Sequence, residues 1–177
     1  MNSCSAIAIW LTLAVRAVVL SDTHLRDDAA RGLPDLVYAA VQEADVVLHC
    51  GDVTERGLLE ELALHAPVHV VLGNNDVSLR GALPERLVIE LEGVRVGMVH
   101  DSGLTKGRAA RVRRMFPDCQ LVVFGHSHAP VDELGVDGQR MFNPGSPTQR
   151  RRQGHPSFGV LDFADRAITR HQIIALQ

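Results

Sequence analysis

The chain has 177 residues, enough for one domain with a substantial core and too few for two. Apolar residues make up 46% and charged residues 22%, which excludes a disordered, fibrous or coiled-coil chain. A net charge of −3 is too balanced for a protein held to nucleic acid by its bulk field.

In chain order, residues 6–15 are apolar, but no basic residue precedes them and Arg16 interrupts the run. They run directly into 17–20, which reads as a buried strand, so a cleaved leader or a membrane span is not expected. We read 1–16 as an irregular extension ahead of a single domain spanning 17–177. Residues 35–42 carry Leu36, Val37, Ala40 and Val41 at helical spacing. Residues 46–49 read as a strand, 55–64 as a helix, and 68–72 as a strand ending in a Gly-Asn-Asn turn. The first half therefore alternates strand and helix, the pattern of parallel strands with crossover helices.

The second half changes character. Residues 87–91 and 94–99 flank Glu92-Gly93 and read as a hairpin. A basic helix at 106–115 and a buried strand at 121–124 follow. Residues 131–136 and 140–142 flank Asp137-Gly138 as a second hairpin, and 158–162 pairs with 167–174. The expectation is an α/β domain, a four-layer α-β-β-α sandwich of two mixed sheets flanked by helices.

Polar residues gather just past the ends of these strands, where open α/β sheets collect their ligand sites. Asp22 and His24 follow the first strand, and Gly51-Asp52 the second. Gly73-Asn74-Asn75-Asp76 follows the third, His100 the hairpin strand, and Gly125-His126-Ser127-His128 the strand at 121–124. Asp-x-His and His-x-His can each turn two side chains into one cleft. Asp22, His24, Asp52, Asn74, His100, His126 and His128 are thus seven candidate metal ligands. Asp22 or Asp52 alone could be a turn cap, but with five further donors in the same strand-end positions the site reading prevails. Mixed Asp, Asn and His donors suit Mn, Fe, Zn or Ni better than Ca, with Mn placed first. Cys4, Cys50 and Cys119 form no C-x-x-C pair, which argues against a thiolate zinc site or a disulfide framework and fits a reducing, cytoplasmic setting.

The order Asp-x-His, Gly-Asp, Gly-Asn-x-Asp, His, Gly-His-x-His resembles that of the calcineurin-like metallophosphoesterases. The resemblance extends from Val18 to Asp162 and includes Phe142-Asn143-Pro144-Gly145-Ser146. Within the family it is strongest to the small single-domain bacterial and archaeal phosphodiesterases, a branch that includes the retromer subunit with its degenerate metal site. The resemblance implies two divalent metal ions, one on Asp22, His24 and His128, the other on Asn74, His100 and His126, with Asp52 bridging them. It also implies that a hydroxide shared by the metals attacks phosphorus in line with the leaving alkoxide.

Asn75 stands where many family members carry a His that assists the leaving group. Asn75 and Asp76 are therefore grouped with Asp52 as catalytic candidates, although Asn cannot deliver a proton. Such a chain should favour substrates with acidic leaving groups, a small phosphodiester or nucleotide-like ester. A non-catalytic protein-binding scaffold on the same fold is the alternative, and a protein phosphatase is disfavoured by the short chain. Nine basic against four acidic residues between 103 and 153 suggest either a solvated face or a rim for anionic substrates. Arg108, Arg111, Arg113 and Arg114 read mostly as a solvated helix face, and Arg150–Arg152 as an open question. With aromatics at 4% and none interleaved with the basic run, no stable nucleic-acid complex is expected. Hairpin edges leave a homodimer open.

Overall fold

The computed structural model describes residues 14–25, 32–149 and 154–177. Most of the apolar N-terminal run and Arg150–Arg152 lie outside the described residues. The first sheet contains β1 (Val15–Leu20), β2 (Val46–His49), β3 (Val68–Val70), β9 (Ser157–Ala164) and β10 (Ala167–Ala175). Its order is β10-β9-β1-β2-β3, with β1, β2 and β3 parallel and β9 antiparallel to both of its neighbours. The second sheet contains β4 (Arg86–Leu91), β5 (Val94–Val99), β6 (Leu121–Val123), β7 (Val131–Leu134) and β8 (Arg140–Asn143). Its order is β4-β5-β6-β8-β7, with β5, β6 and β8 parallel. Helices α1 (Asp35–Gln42) and α2 (Arg56–Ala63) connect the parallel strands of the first sheet, and α3 (Arg108–Met115) joins β5 to β6.

Side chains alternate across each strand, so every central strand feeds two apolar layers. Ala17 and Val19 of β1 and Leu48 of β2 meet Val96, Met98, Leu121, Val123 and Phe142 in the core between the sheets. Val18, Leu20 and Val47 face the other way, onto Val37 and Val41 of α1 and Leu58 and Leu62 of α2. Val122 and Phe124 receive Val112 and Phe116 from α3. Helix, sheet, sheet, helix is the resulting order of layers.

Two expectations need adjustment. β1 begins at Val15, so the strand includes the half-exposed Arg16, whose guanidinium Nε donates to Asp162 Oδ1 at 2.9 Å. The turn after β7 is not a two-residue loop. The strand stops at Leu134, and a single 3-10 turn at Val136–Gly138 reverses the chain, with Asp137 at φ 53°. Asp at this left-handed position followed by Gly explains why the pair resembled a tight hairpin signal.

Candidate metal centre

Parallel strands of both sheets point their carboxyl ends at one seam. Ser21–His24 leave β1, Gly51–Thr54 follow β2, Gly73–Asp76 follow β3, His100 follows β5 and Gly125–His128 follow β6. All seven candidate ligands come together there.

Asp22, His24 and His128 bring one ligand atom each within 4.8 Å of one another, as do Asp22, Asp52 and His100. Asp52 Oδ2 lies 3.6 Å from His24 Nε2 and 3.4 Å from His100 Nε2, between the two histidine pairs. Asn74 Oδ1 lies 3.0 Å from His100 Nε2 and 2.9 Å from His126 Nδ1, which brings in the remaining two candidate ligands beside His100. The His24 and His128 rings stack with centroids 5.2 Å apart, and His100 meets His126 edge-on at the same separation.

The protonation pattern suits a cation. His100 Nδ1 lies 2.7 Å from the Cys50 carbonyl, which can only accept, so Nδ1 carries the hydrogen. Nε2 is then the atom turned toward Asp52 and Asn74; burial lowers the His100 pKa, but Asp52 outweighs it and raises it above the usual histidine value. Asp22 Oδ1 is buried without a hydrogen bond, and His128 Nε2 lies 3.2 Å from it. A buried carboxylate oxygen that faces an imidazole nitrogen without a well-formed hydrogen bond is an arrangement that a divalent ion would complete. Burial raises the Asp52 carboxyl pKa, but His100 and the Asn75 N–H outweigh it and hold the group well below the usual range. Asp22 follows the same logic: burial opposes its charge, and His128 and Ser21 overcome it. The donor set fits divalent cations.

The backbone is bent to achieve this. Asp22, His24, Asp52, His126 and His128 all hold positive φ, between 45° and 65°. Asp and His tolerate this left-handed region better than most side chains, yet five together are unusual. Gly73 permits a closer approach still, because a Cβ there would overlap both the amide and the carboxylate of Asp52.

Asp76 points away from the cleft. Its Oδ2 accepts the Asp52 and Gly73 N–H groups at 2.9 and 2.7 Å, and its Oδ1 accepts the Thr54 N–H at 2.6 Å. It is a clamp on the loop that carries Asp52. Asn75 bonds to Asp52 twice, through its backbone N–H at 2.8 Å and its side-chain amide at 2.7 Å. Asp101 accepts the Gly103 N–H at 2.6 Å, a turn role. His49 is fully buried with its Nε2 3.1 Å from Thr23 Oγ1.

Sequence reasoning missed three contributors. Ser21 Oγ donates to Asp22 Oδ2 at 2.7 Å. The Asn143–Ser146 turn ties the loops together: Asn143 Nδ2 donates to the Gly125 carbonyl, and Ser146 Oγ to the Asp22 carbonyl, both at 2.8 Å. Its motif was visible, but its target was not. The third is Arg108, which was read with the solvated helix face and is in fact buried. Arg111 also leaves that face, donating to the Ser102 and Leu104 carbonyls.

The model of the calcineurin-like phosphoesterase superfamily domain matches residues 15–166. The chain belongs to this superfamily. It is 35% identical over 136 residues to a probable metallophosphoesterase of Methanothermobacter thermautotrophicus, covering 75% of this chain and 77% of that one. A probable metallophosphoesterase of Methanocaldococcus jannaschii is 34% identical over 139 residues, with 75% and 68% covered. Vacuolar protein sorting 29 of Cryptosporidium parvum shares the fold, with a TM-score of 0.73 at 20% identity over 92% of this chain and 99% of that one. As a calcineurin-like phosphoesterase domain, the chain presents its candidate ligands on both sheets at once. Among the described residues, no helix is long and apolar enough to cross a membrane.

Proposed function

We propose that this calcineurin-like domain is a metal-dependent phosphodiesterase. The observation that carries the reading is the place of Asp52 Oδ2, between His24 and His100, with Asp22 and His128 on one side and Asn74 and His126 on the other. In this reading Asp22, His24 and His128 hold one divalent cation, Asn74, His100 and His126 a second, and Asp52 both. Bound cations would polarise the phosphoryl oxygens and make water acidic enough to act as nucleophile near neutral pH.

The chain's own residues set the conditions for that chemistry. Cys50 fixes the tautomer of His100, and Ser21 with the His126 N–H orients Asp22. Asp76 and Asn75 hold Asp52 from both ends of its residue, at the amide and at the carboxylate. Because the Asn75 amide is committed to Asp52 and cannot deliver a proton, the departing alcohol must be acidic by itself. This favours a diester with an aryl or nucleotide leaving group over a simple alkyl monoester. Mn is the first choice of metal, with Fe, Zn and Ni open, and a cytoplasmic domain that can pair with itself is compatible with the reading.

Calorimetric titration of stripped protein with Mn²⁺ tests it. Two sites per chain are expected, one of them lost in Asn74→Ala. The loaded protein should hydrolyse bis-p-nitrophenyl phosphate faster than p-nitrophenyl phosphate. Asp52→Asn should lower that rate by at least about 10²-fold. Folded protein that binds no metal would overturn the proposal and favour a protein-binding scaffold.

A further inference from the structure

Arg108 opens α3 and is only 8% exposed. A guanidinium is rarely taken out of water without a counter-charge. Here no carboxylate among the described residues pairs with it. Nη2 donates to Thr105 Oγ1 at 3.2 Å, the guanidinium carbon lies 5.2 Å from the centre of the Phe124 ring, and Nε is buried with no acceptor.

This side chain lines a cavity of about 470 Å³ together with Gly103, Leu104, Thr105, His126 and Ser127. Arg111 holds the lining segment around Gly103 by donating to the Ser102 and Leu104 carbonyls. Asp101 also reaches the cavity, with its Oδ1 engaged by the Gly103 N–H. A second cavity, of about 570 Å³, is lined by His126 together with Asn74, His100, Arg80 and Arg86. Among the described residues, the two cavities share Asp101 and His126. They suit the two arms of a diester whose phosphorus sits at the metal centre.

We infer that the cavity beside His126 is a second oxyanion subsite, in which Arg108 binds a terminal phosphate on one arm of the substrate. The inference rests on the phosphodiesterase reading and narrows it to substrates with a phosphate beyond the scissile one. A guanidinium suits the role because its fixed donors match phosphate oxygens in pairs. The missing counter-charge is what such a group would supply.

Two measurements with Mn²⁺-loaded protein test the subsite. In calorimetry, thymidine 3′,5′-bisphosphate should bind at least about 10-fold more tightly than thymidine 3′-monophosphate. In turnover, the 5′-phosphorylated dinucleotide pTpT should exceed TpT in kcat/KM by a similar factor. Both ratios should fall toward one in Arg108→Met and keep an intermediate value in Arg108→Lys, with thermal unfolding as the control for folding. Equal binding of the two nucleotides by the wild type would overturn the subsite, whatever the stability of the variants. A ratio unchanged in folded Arg108→Met would do the same. Turnover without preference would sink the subsite alone, and preference in binding without turnover of either dinucleotide would sink the phosphodiesterase reading alone.

Discussion

Asp76 shows how a carboxylate can serve a site it does not face. Its two oxygens take three backbone N–H groups, two of them on the loop that presents Asp52. Asp76→Ala would strand those donors and cost about 3 kcal/mol or more, read by urea denaturation, with a parallel loss of Mn²⁺ affinity. Asp76→Asn keeps one acceptor oxygen and should fall between the two. His49 offers a different test, because burial pushes its pKa down from 6.5 to about 4. Between those values the unfolded chain takes up a proton that the folded chain refuses. Stability is therefore complete above pH 6.5 and declines as the pH falls to 4, by on the order of 3 kcal/mol. Denaturation midpoints of stripped protein across this window should slope less in His49→Gln. The candidate ligands could be read from residue types alone, since few other roles demand Asp-x-His and His-x-His after strands. The aim of Asp76 and the burial of Arg108 could not. The first depends on which backbone amides lie near, and the second on a polar helix sequence that hides which Arg faces inward.

Strands and helices were predictable wherever one periodicity dominated. Residues 46–49 and 121–124 are apolar at every position but His49, and each proved to be a central strand buried on both faces. What periodicity cannot convey is which strands share a sheet. The chain pairs β9 with β1 across more than 130 residues, a partnership set by the close fit of the two layers. Gly159 on β9 is part of that fit, because a Cβ there would collide with the Phe142 ring of the opposite sheet. Gly159→Val should destabilise the protein by roughly 2 kcal/mol, measured by thermal unfolding, while the metal stoichiometry of the folded fraction stays unchanged. The turn at Asn143–Ser146 is the complementary case. Its sequence stood out, yet its purpose became clear only when its side chains were seen on the Asp22 and Gly125 carbonyls.

Taken whole, the molecule is two sheets that meet along an apolar interior and at a polar seam. Ligands on the first sheet's loops (Asp22, His24, Asp52, Asn74) face ligands on the second sheet's loops (His100, His126, His128). A cation bound between them ties the layers together in the folded state only. At a metal concentration 100-fold above Kd, one site adds about 2.7 kcal/mol, which for a chain of this size raises the unfolding midpoint by roughly 5–10 °C. Scanning calorimetry of stripped and loaded protein should show that gap.

The five left-handed residues of the centre carry this coupling into time. Without a cation, their strained backbone is held by hydrogen bonds from loop to loop, such as the Asp22 N–H to the Gly51 carbonyl and the His24 N–H to the Asp52 carbonyl, and by the side-chain clamps of Asp76, Asn143 and Ser146. The loops are then the first part of the molecule to breathe, well before the strands beneath them. Hydrogen exchange at those amides should be fast in stripped protein and slow once it is loaded. The lifetime of a bound ion would then be governed by how often these loops spring open.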